Sequence, residues 1–272
     1  MPFLMAILNI TPDSFSDGGE FLAVDDAVEQ ALRLIDEGAD IIDVGGESTR
    51  PPGKDYGEGS HTVSVQEELA RVIPVIERIH AERPATAISI DTMKPEVARR
   101  AAEAGATIIN DVSAGSYDRD IWRVAAELDL PYILMHGHDP HHRVAIDVVH
   151  YDDVVEDVFR FLRERIEEAR QAGVRKIIAD VGIGFAKRAE ESERLIREHA
   201  RFLDLDVPLL VGASRKSFIG RALGGVPPEE RLYGTLGAHA AAALHGASIL
   251  RVHDVRPARE FFKVFMSLVS SQ

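Results

Sequence analysis

Along this chain a short apolar run, a polar residue at its end, a loop and a stretch with helical spacing follow one another again and again. The first instance sets the scheme. Met5 to Asn9 is apolar until it stops on an amide, and Thr11 to Gly19 then carries turn chemistry. There Pro12 fixes its own φ and biases Thr11 away from helix, while Gly18 and Gly19 admit backbone shapes closed to other residues. The apolar runs predict strands at Leu4–Ile10, Asp40–Gly45, Thr86–Thr92, Thr107–Ser113, Pro131–His136, Lys176–Gly182, Pro208–Ser214 and Ser248–Asp254.

Each strand precedes a helical pattern. In Val24–Glu37 the residues Val28, Leu32 and Ile35 share a face, and Gly38 is a stop signal. Gln66–Glu82, Pro95–Ala104, Arg119–Leu128, Val154–Gln171, Glu190–Phe202, Pro228–Leu244 and Pro257–Val269 repeat the scheme. Gly38, Gly105 and Gly173 lie just past three of these helices, where left-handed caps are expected. Eight β/α units with no shift in composition predict an α/β protein, a single (β/α)8 TIM barrel spanning residues 1–272. A doubly wound open sheet would use fewer strands for this length.

Composition narrows the picture. A net charge of −14 argues against nonspecific binding to nucleic acid or anionic membrane. The absence of cysteine excludes disulfides and thiolate-based metal or redox sites. With no signal-peptide pattern and no apolar run near about 18 residues, a cytoplasmic protein is expected. Two connections are long: 46–64, rich in Gly, Pro and polar residues, and the histidine-rich 136–152.

Barrel enzymes place their chemistry at the carboxyl ends of the strands. The polar residues expected there are Asn9, Asp43 with Glu47, Asp91, Asn110 with Asp111, His136, Asp180, Lys216, Arg251 and His253. Strand parity groups Ser89 with Asp91 and Arg251 with His253, and a continued seventh strand would align Gly212, Ser214 and Lys216. So many polar groups at one rim imply an internal ion-pair network or a ligand. Asp91, Asn110 and Asp180 offer acceptors and an amide, which suits a flat heterocycle with N–H donors such as an aminopyrimidinone. Lys216, Arg251 and His253 belong to strands seven and eight, where barrels hold phosphate, and closure brings them near Asn9. With loop amides and a magnesium ion they suit a diphosphate.

ILNITPDSFSDGG, GGESTRPPG, SIDT, IND, GIGF, GASRKSFIG and RVHDV occur in this order, each at a strand end, and together resemble the dihydropteroate synthase family. The resemblance covers nearly the whole chain. It implies condensation of a dihydropterin diphosphate with 4-aminobenzoate, by loss of diphosphate and attack of the arylamine on a pterin methylene cation. It also implies residue roles. Asp91, Asn110, Asp180 and Lys216 would bind the pterin, with Met135 and Phe185 packed beside it. Asn9, Thr49, Arg251 and His253 would hold the diphosphate, Asn9 also through Mg2+. Phe15, Asp17, Thr49, Arg50 and Pro51 would close over the reacting centre, and Arg50, Pro51, Ser217 and Lys216 would border the aminobenzoate. Catalysis would rest on Phe15, Asp17, Arg50, Asp91 and Lys216. The partners implied are these small molecules and a second copy of the chain in a homodimer, for which Phe261, Phe262, Val264, Phe265 and Leu268 supply apolar surface.

The chain departs from the family pattern at Val181 and Ala186, where DPGIGFGK is usual, and at Gly137 to Pro140 after strand five. It also starts almost at its first strand. Three rival readings are a metal pair at His136 and His138, a pterin-dependent methyltransferase barrel, and a pterin-binding paralogue without catalysis. The first would need its companion histidines at the end of strand one, which carries Asn9 instead. The second would have no use for SRK and RVHDV as a diphosphate cradle. Trp122 reads as helix packing on the barrel wall, and the charge runs 156–168 and 189–198 as solvated faces.

Overall fold

The computed structural model describes residues 1–10, 19–47, 63–137 and 149–269. Eight strands form a closed parallel barrel: β1 (Phe3–Asn9), β2 (Ile41–Gly45), β3 (Ala87–Asp91), β4 (Ile108–Asp111), β5 (Tyr132–Met135), β6 (Ile177–Asp180), β7 (Leu209–Val211) and β8 (Ile249–Val252). Each pairs with its successor in the chain, and β8 closes onto β1. The helices on the outside are α1 (Gly19–Asp36), α2 (Val65–Glu82), α3 (Pro95–Ala104), α4 (Asp120–Glu127), α5 (Val154–Gln171), α6 (Ala189–Arg197), α7 (Ser217–Ala222), α8 (Leu232–Leu244) and α9 (Val255–Val269).

Period-two alternation divides each strand between two cores. Leu4, Ala6, Leu8, Ile42, Val44, Ile88, Ile90, Leu134 and Val211 face outward and pack on the helices. Met5, Ile41, Ile108, Ile133, Leu210 and Ile249 face inward and form an apolar layer inside the barrel. That layer fills the interior below the polar rim, so polar side chains above it stand on a packed floor.

Local chemistry accounts for the helix ends. Gly105, in the left-handed region at φ 119°, caps α3, and Gly38 and Gly173 take positive φ past α1 and α5. Ser64 Oγ accepts from the Glu67 N–H to start α2, and Asp153 accepts from Val155 and Glu156 to start α5.

Three helical expectations change. Glu190–Phe202 divides into α6 and a 3-10 segment, His199–Leu205. Pro228–Leu244 divides into a 3-10 turn, Pro228–Glu230, and α8. The short α7 has no predicted counterpart, because six residues are too few to display a helical period.

Candidate active site

The strand register builds the site. Asn9, Gly45, Asp91 and Asn110 pair in succession and form one row across the first four strands. One inward step below lie Ile7, Asp43, Ser89 and Ile108. On the far side Met135 pairs with Asp180. Gly45 leaves room in the upper row: a Cβ there would lie 3.4 Å from Asp91 Cβ and 3.8 Å from Asn9 Oδ1.

Arg251 crosses this mouth. Its Nε donates to Asp43 Oδ2 at 2.6 Å and its Nη2 to Asp91 Oδ2 at 2.9 Å. Asn110 Nδ2 donates to the same Asp43 oxygen at 3.1 Å. The expected separation of acidic from basic groups is therefore not kept. Arg251 is level with Met5, below Asn9, and its long side chain reaches up and across to the acids. Asp91, Asn110 and Asp180 do meet at one mouth as expected, together with Asp43. Burial, reinforced by the Asp43 carboxylate, pushes the Asp91 carboxyl up to about 8. Burial also raises Asp180, against the pull of the Gly182 N–H, which donates to its Oδ1 at 2.8 Å, and of the cations Lys216, Arg251 and Lys187. Asp43 Oδ1 and Ser89 Oγ are buried without a hydrogen-bond partner among the described residues.

Lys216 reaches the mouth by a different route from the one strand parity suggests. The strand β7 ends at Val211, Arg215 takes φ 58°, and Lys216 is the residue that caps α7. Its Nζ lies 3.9 Å from the centroid of the Phe185 ring, a cation–π contact. The turn is held on all sides. Arg215 N donates to Thr235 Oγ1 at 3.0 Å, its guanidinium forks onto Asp254 at 2.6 and 3.0 Å, and its carbonyl accepts from Arg231 at 2.9 Å. Ser214 Oγ and His253 Nδ1 lie 3.0 Å apart. The SRK and RVHDV motifs are thus joined to each other, and Ser217 begins α7 beside Lys216.

Sequence reasoning missed two buried lysines around this mouth, and the partners of Asp111, which it places at the rim. Lys94 donates to both Glu47 and Glu68, joining the end of β2 to α2. Asp111 accepts from Ser113, Gly115 and Tyr132, and Tyr132 in turn accepts from Trp122 Nε1 at 3.1 Å. Lys187 Nζ lies 2.8 Å from His136 Nδ1, a buried side-chain pair. Neither Lys94 nor Lys187 sits at a position that periodicity marks; only their tertiary neighbours identify them. Trp122 is buried, as expected for wall packing. Among the described residues no three His, Asp or Glu side chains form a metal-binding group.

At the family departures, Val181 is fully buried and Ala186 takes φ 49°, the left-handed conformation that glycine adopts freely. Phe15, Asp17, Thr49, Arg50, Pro51 and His138 lie outside the described residues.

Residues 5–253 match the family described as pterin binding enzyme. The dihydropteroate synthase of Escherichia coli strain K12 is 46% identical over 273 residues, covering 100% of this chain and 93% of the relative. That of a Synechocystis species is 44% identical over 264 residues, covering 96% of this chain and 88% of the relative. Among solved structures, the Xanthomonas albilineans dihydropteroate synthase with 4-aminobenzoic acid superposes with a TM-score of 0.90 at 45% identity, covering 100% of this chain and 94% of that one. The same organism's enzyme in complex with 7,8-dihydropteroate gives a TM-score of 0.87 at 42% identity, covering 100% and 95%.

Proposed function

This chain belongs to the pterin binding enzyme family and, within it, to the dihydropteroate synthases, and from that premise we infer which of its residues do which part of the work. It is a transferase of folate biosynthesis that condenses 6-hydroxymethyl-7,8-dihydropterin diphosphate with 4-aminobenzoate to 7,8-dihydropteroate and diphosphate. The observation that carries the division of roles is the meeting of Asp43, Asp91, Asn110, Asp180 and Arg251 at one barrel mouth.

In this reading Asp91, Asn110 and Asp180 accept from and orient the aminopyrimidinone edge of the pterin, and Met135 and Phe185 pack on its faces. Lys216, over the Phe185 ring, reaches the pterin from the side of the aminobenzoate, and Ser217 borders that second substrate. Arg251 and His253, with Asn9 and Thr49, hold the diphosphate. The Arg251 guanidinium then serves two sets of anions, the carboxylates below and the phosphates above, with donors enough for both.

Asn9 fits magnesium in a limited way. A hard cation of this kind commonly takes one or two protein oxygens and completes its shell with water and substrate phosphates. A single amide oxygen at the end of β1 suits an ion that arrives with the diphosphate. Bound there, it would neutralise charge on the leaving group.

The chemistry needs no protein nucleophile. The methylene carbon–oxygen bond breaks, diphosphate leaves with the electron pair, and the pterin ring delocalises the resulting positive charge. The buried carboxylates stabilise that charge more strongly in this low-dielectric mouth than water would. The arylamine nitrogen then bonds to the methylene carbon and gives up a proton. Phe15, Asp17, Arg50 and Pro51 would shield the cation from water until the amine attacks.

A homodimer working in the cytoplasm completes the proposal. Val264 and Leu268 on α9, and Tyr233 on α8, supply exposed apolar surface for the pairing, whereas Phe262 belongs to the core and Phe261 and Phe265 pack partly against it. Incubation with dihydropterin diphosphate, Mg2+ and radiolabelled 4-aminobenzoate should yield labelled dihydropteroate and diphosphate in equal amounts. Loss of an electrostatic partner at the reacting centre costs about 100-fold or more, so Asp91→Ala and Lys216→Ala should reduce turnover by that order; wild-type turnover in either variant would remove it from the machinery.

A further inference from the structure

One buried cation has no part in the roles above. Lys187 lies in the loop between β6 and α6 with its side chain turned inward, only 3% exposed. Its Nζ donates to Gly182 O at 2.9 Å, Phe185 O at 3.0 Å and His136 O at 3.3 Å, and lies 2.8 Å from His136 Nδ1. An ammonium has three protons, and here three carbonyl oxygens and a ring nitrogen from two different loops surround it. The two loops are in contact at that point: a Cβ on Gly182 would lie 2.0 Å from His136 O.

The atoms being gathered belong to the site. His136 directly follows Met135, which pairs with Asp180 across β5 and β6. Phe185, whose carbonyl Lys187 holds, carries the Lys216 ammonium over its ring. Met135, Phe185, Met93 and Val112 pack together as one apolar patch. The His136 ring meets Phe161 edge-on at 4.8 Å and lies 6.0 Å from Tyr151, whose hydroxyl donates to Ala186 O at 3.1 Å. Burial lowers the Lys187 amine to about 7, and below that pH its charge favours the ionised form of Asp180.

We propose that Lys187 is a positioning residue for the pterin: by drawing the end of β5 and the loop after β6 into one wall, it makes Met135 and Phe185 face the ring. This rests on the reading of the mouth as a pterin site. A structural role alone would affect folding. A positioning role affects one substrate and leaves the other, because Ser217, on the aminobenzoate side, begins α7 beyond the Arg215 turn, which Thr235, Asp254 and Arg231 hold independently of Lys187.

The test uses the full chain as wild type, Lys187→Met and Tyr151→Phe, with 6-hydroxymethylpterin binding by calorimetry beside steady-state kinetics. Lys187→Met should weaken pterin binding by about tenfold or more. It should raise KM for dihydropterin diphosphate in proportion, while KM for 4-aminobenzoate at saturating pterin stays within about twofold. Tyr151→Phe, which loosens the same loop without touching a charge, should weaken pterin binding by about twofold to fivefold, the loss of one neutral hydrogen bond. A folded Lys187→Met protein with wild-type pterin affinity, or with both substrates weakened equally, overturns the proposal. If Lys187→Met does not fold, Tyr151→Phe decides, and unchanged pterin affinity there overturns it. A wild-type chain that binds no pterin overturns the reading of the site itself, and Lys187's role with it.

Discussion

Arg251 Nη2 donates to Asp91 Oδ2 at 2.9 Å, linking the last strand of the barrel to the third, while its Nε holds Asp43 on the second. One guanidinium thus compensates two buried carboxylates at the point where the reaction takes place.

Removing that cation leaves both acids buried without it. Breaking a buried pair from one side costs about 3–5 kcal/mol, so Arg251→Gln should lower unfolding stability at pH 8 by that amount in urea titrations. The deficit should shrink toward pH 5, where the Asp91 carboxyl takes up a proton instead. A deficit that does not change with pH would mean that Arg251 acts through packing.

Asp91 sets a pH limb for the pterin substrate. Its carboxyl, lifted to about 8 by burial and by Asp43, must lose its proton before it can accept from the heterocycle. The kcat/KM for dihydropterin diphosphate should therefore rise with pH, bend near 8 and level off above it. Asp91→Asn should abolish that limb. If the profile of the variant still bends at the same pH, another group titrates.

The loop after β6 carries strain that can be relieved. Ala186 sits at φ 49°, a conformation that costs a residue with a Cβ about 1–2 kcal/mol. Ala186→Gly should recover on the order of 1 kcal/mol, partly offset by the entropy that glycine returns to the unfolded chain, and raise the melting temperature. Gly182→Ala should do the opposite and strongly, since its new methyl would meet His136 O at 2.0 Å; soluble, wild-type-like protein would contradict the close loop contact.

Two buried histidines make the fold acid-sensitive. Burial pulls His199 and His239 each down to about 4. The unfolded chain binds their protons from about 6.5 downward while the folded chain refuses them, so stability falls as pH drops from 6.5 to 4 and is then flat. Each contributes on the order of 3 kcal/mol over that window. Among the described residues His199 has no hydrogen-bond partner for either ring nitrogen, so His199→Leu should remove its share of the slope without breaking a bond. Parallel pH–stability curves for wild type and variant would refute this.

The strand–loop–helix rhythm alone determined the barrel and the identity of the rim residues. Burying eight strands on two faces demands period-two runs followed by amphipathic helices, and such patterns survive in a linear string. Asp91, Asn110 and Asp180 were legible because a polar residue at an inward strand position is conspicuous. Only the folded chain decided how the rim charges pair. Arg251 and Asp91 are 160 residues apart in the chain, and a long, flexible side chain leaves no trace in the sequence of where its end will rest. The same holds for Lys187, whose partners lie two residues before it, five before it and fifty-one before it. Likewise, Lys216 reaches the mouth through a left-handed turn at Arg215, a backbone choice enforced by Thr235, Arg231 and Asp254 from other elements and invisible in strand parity.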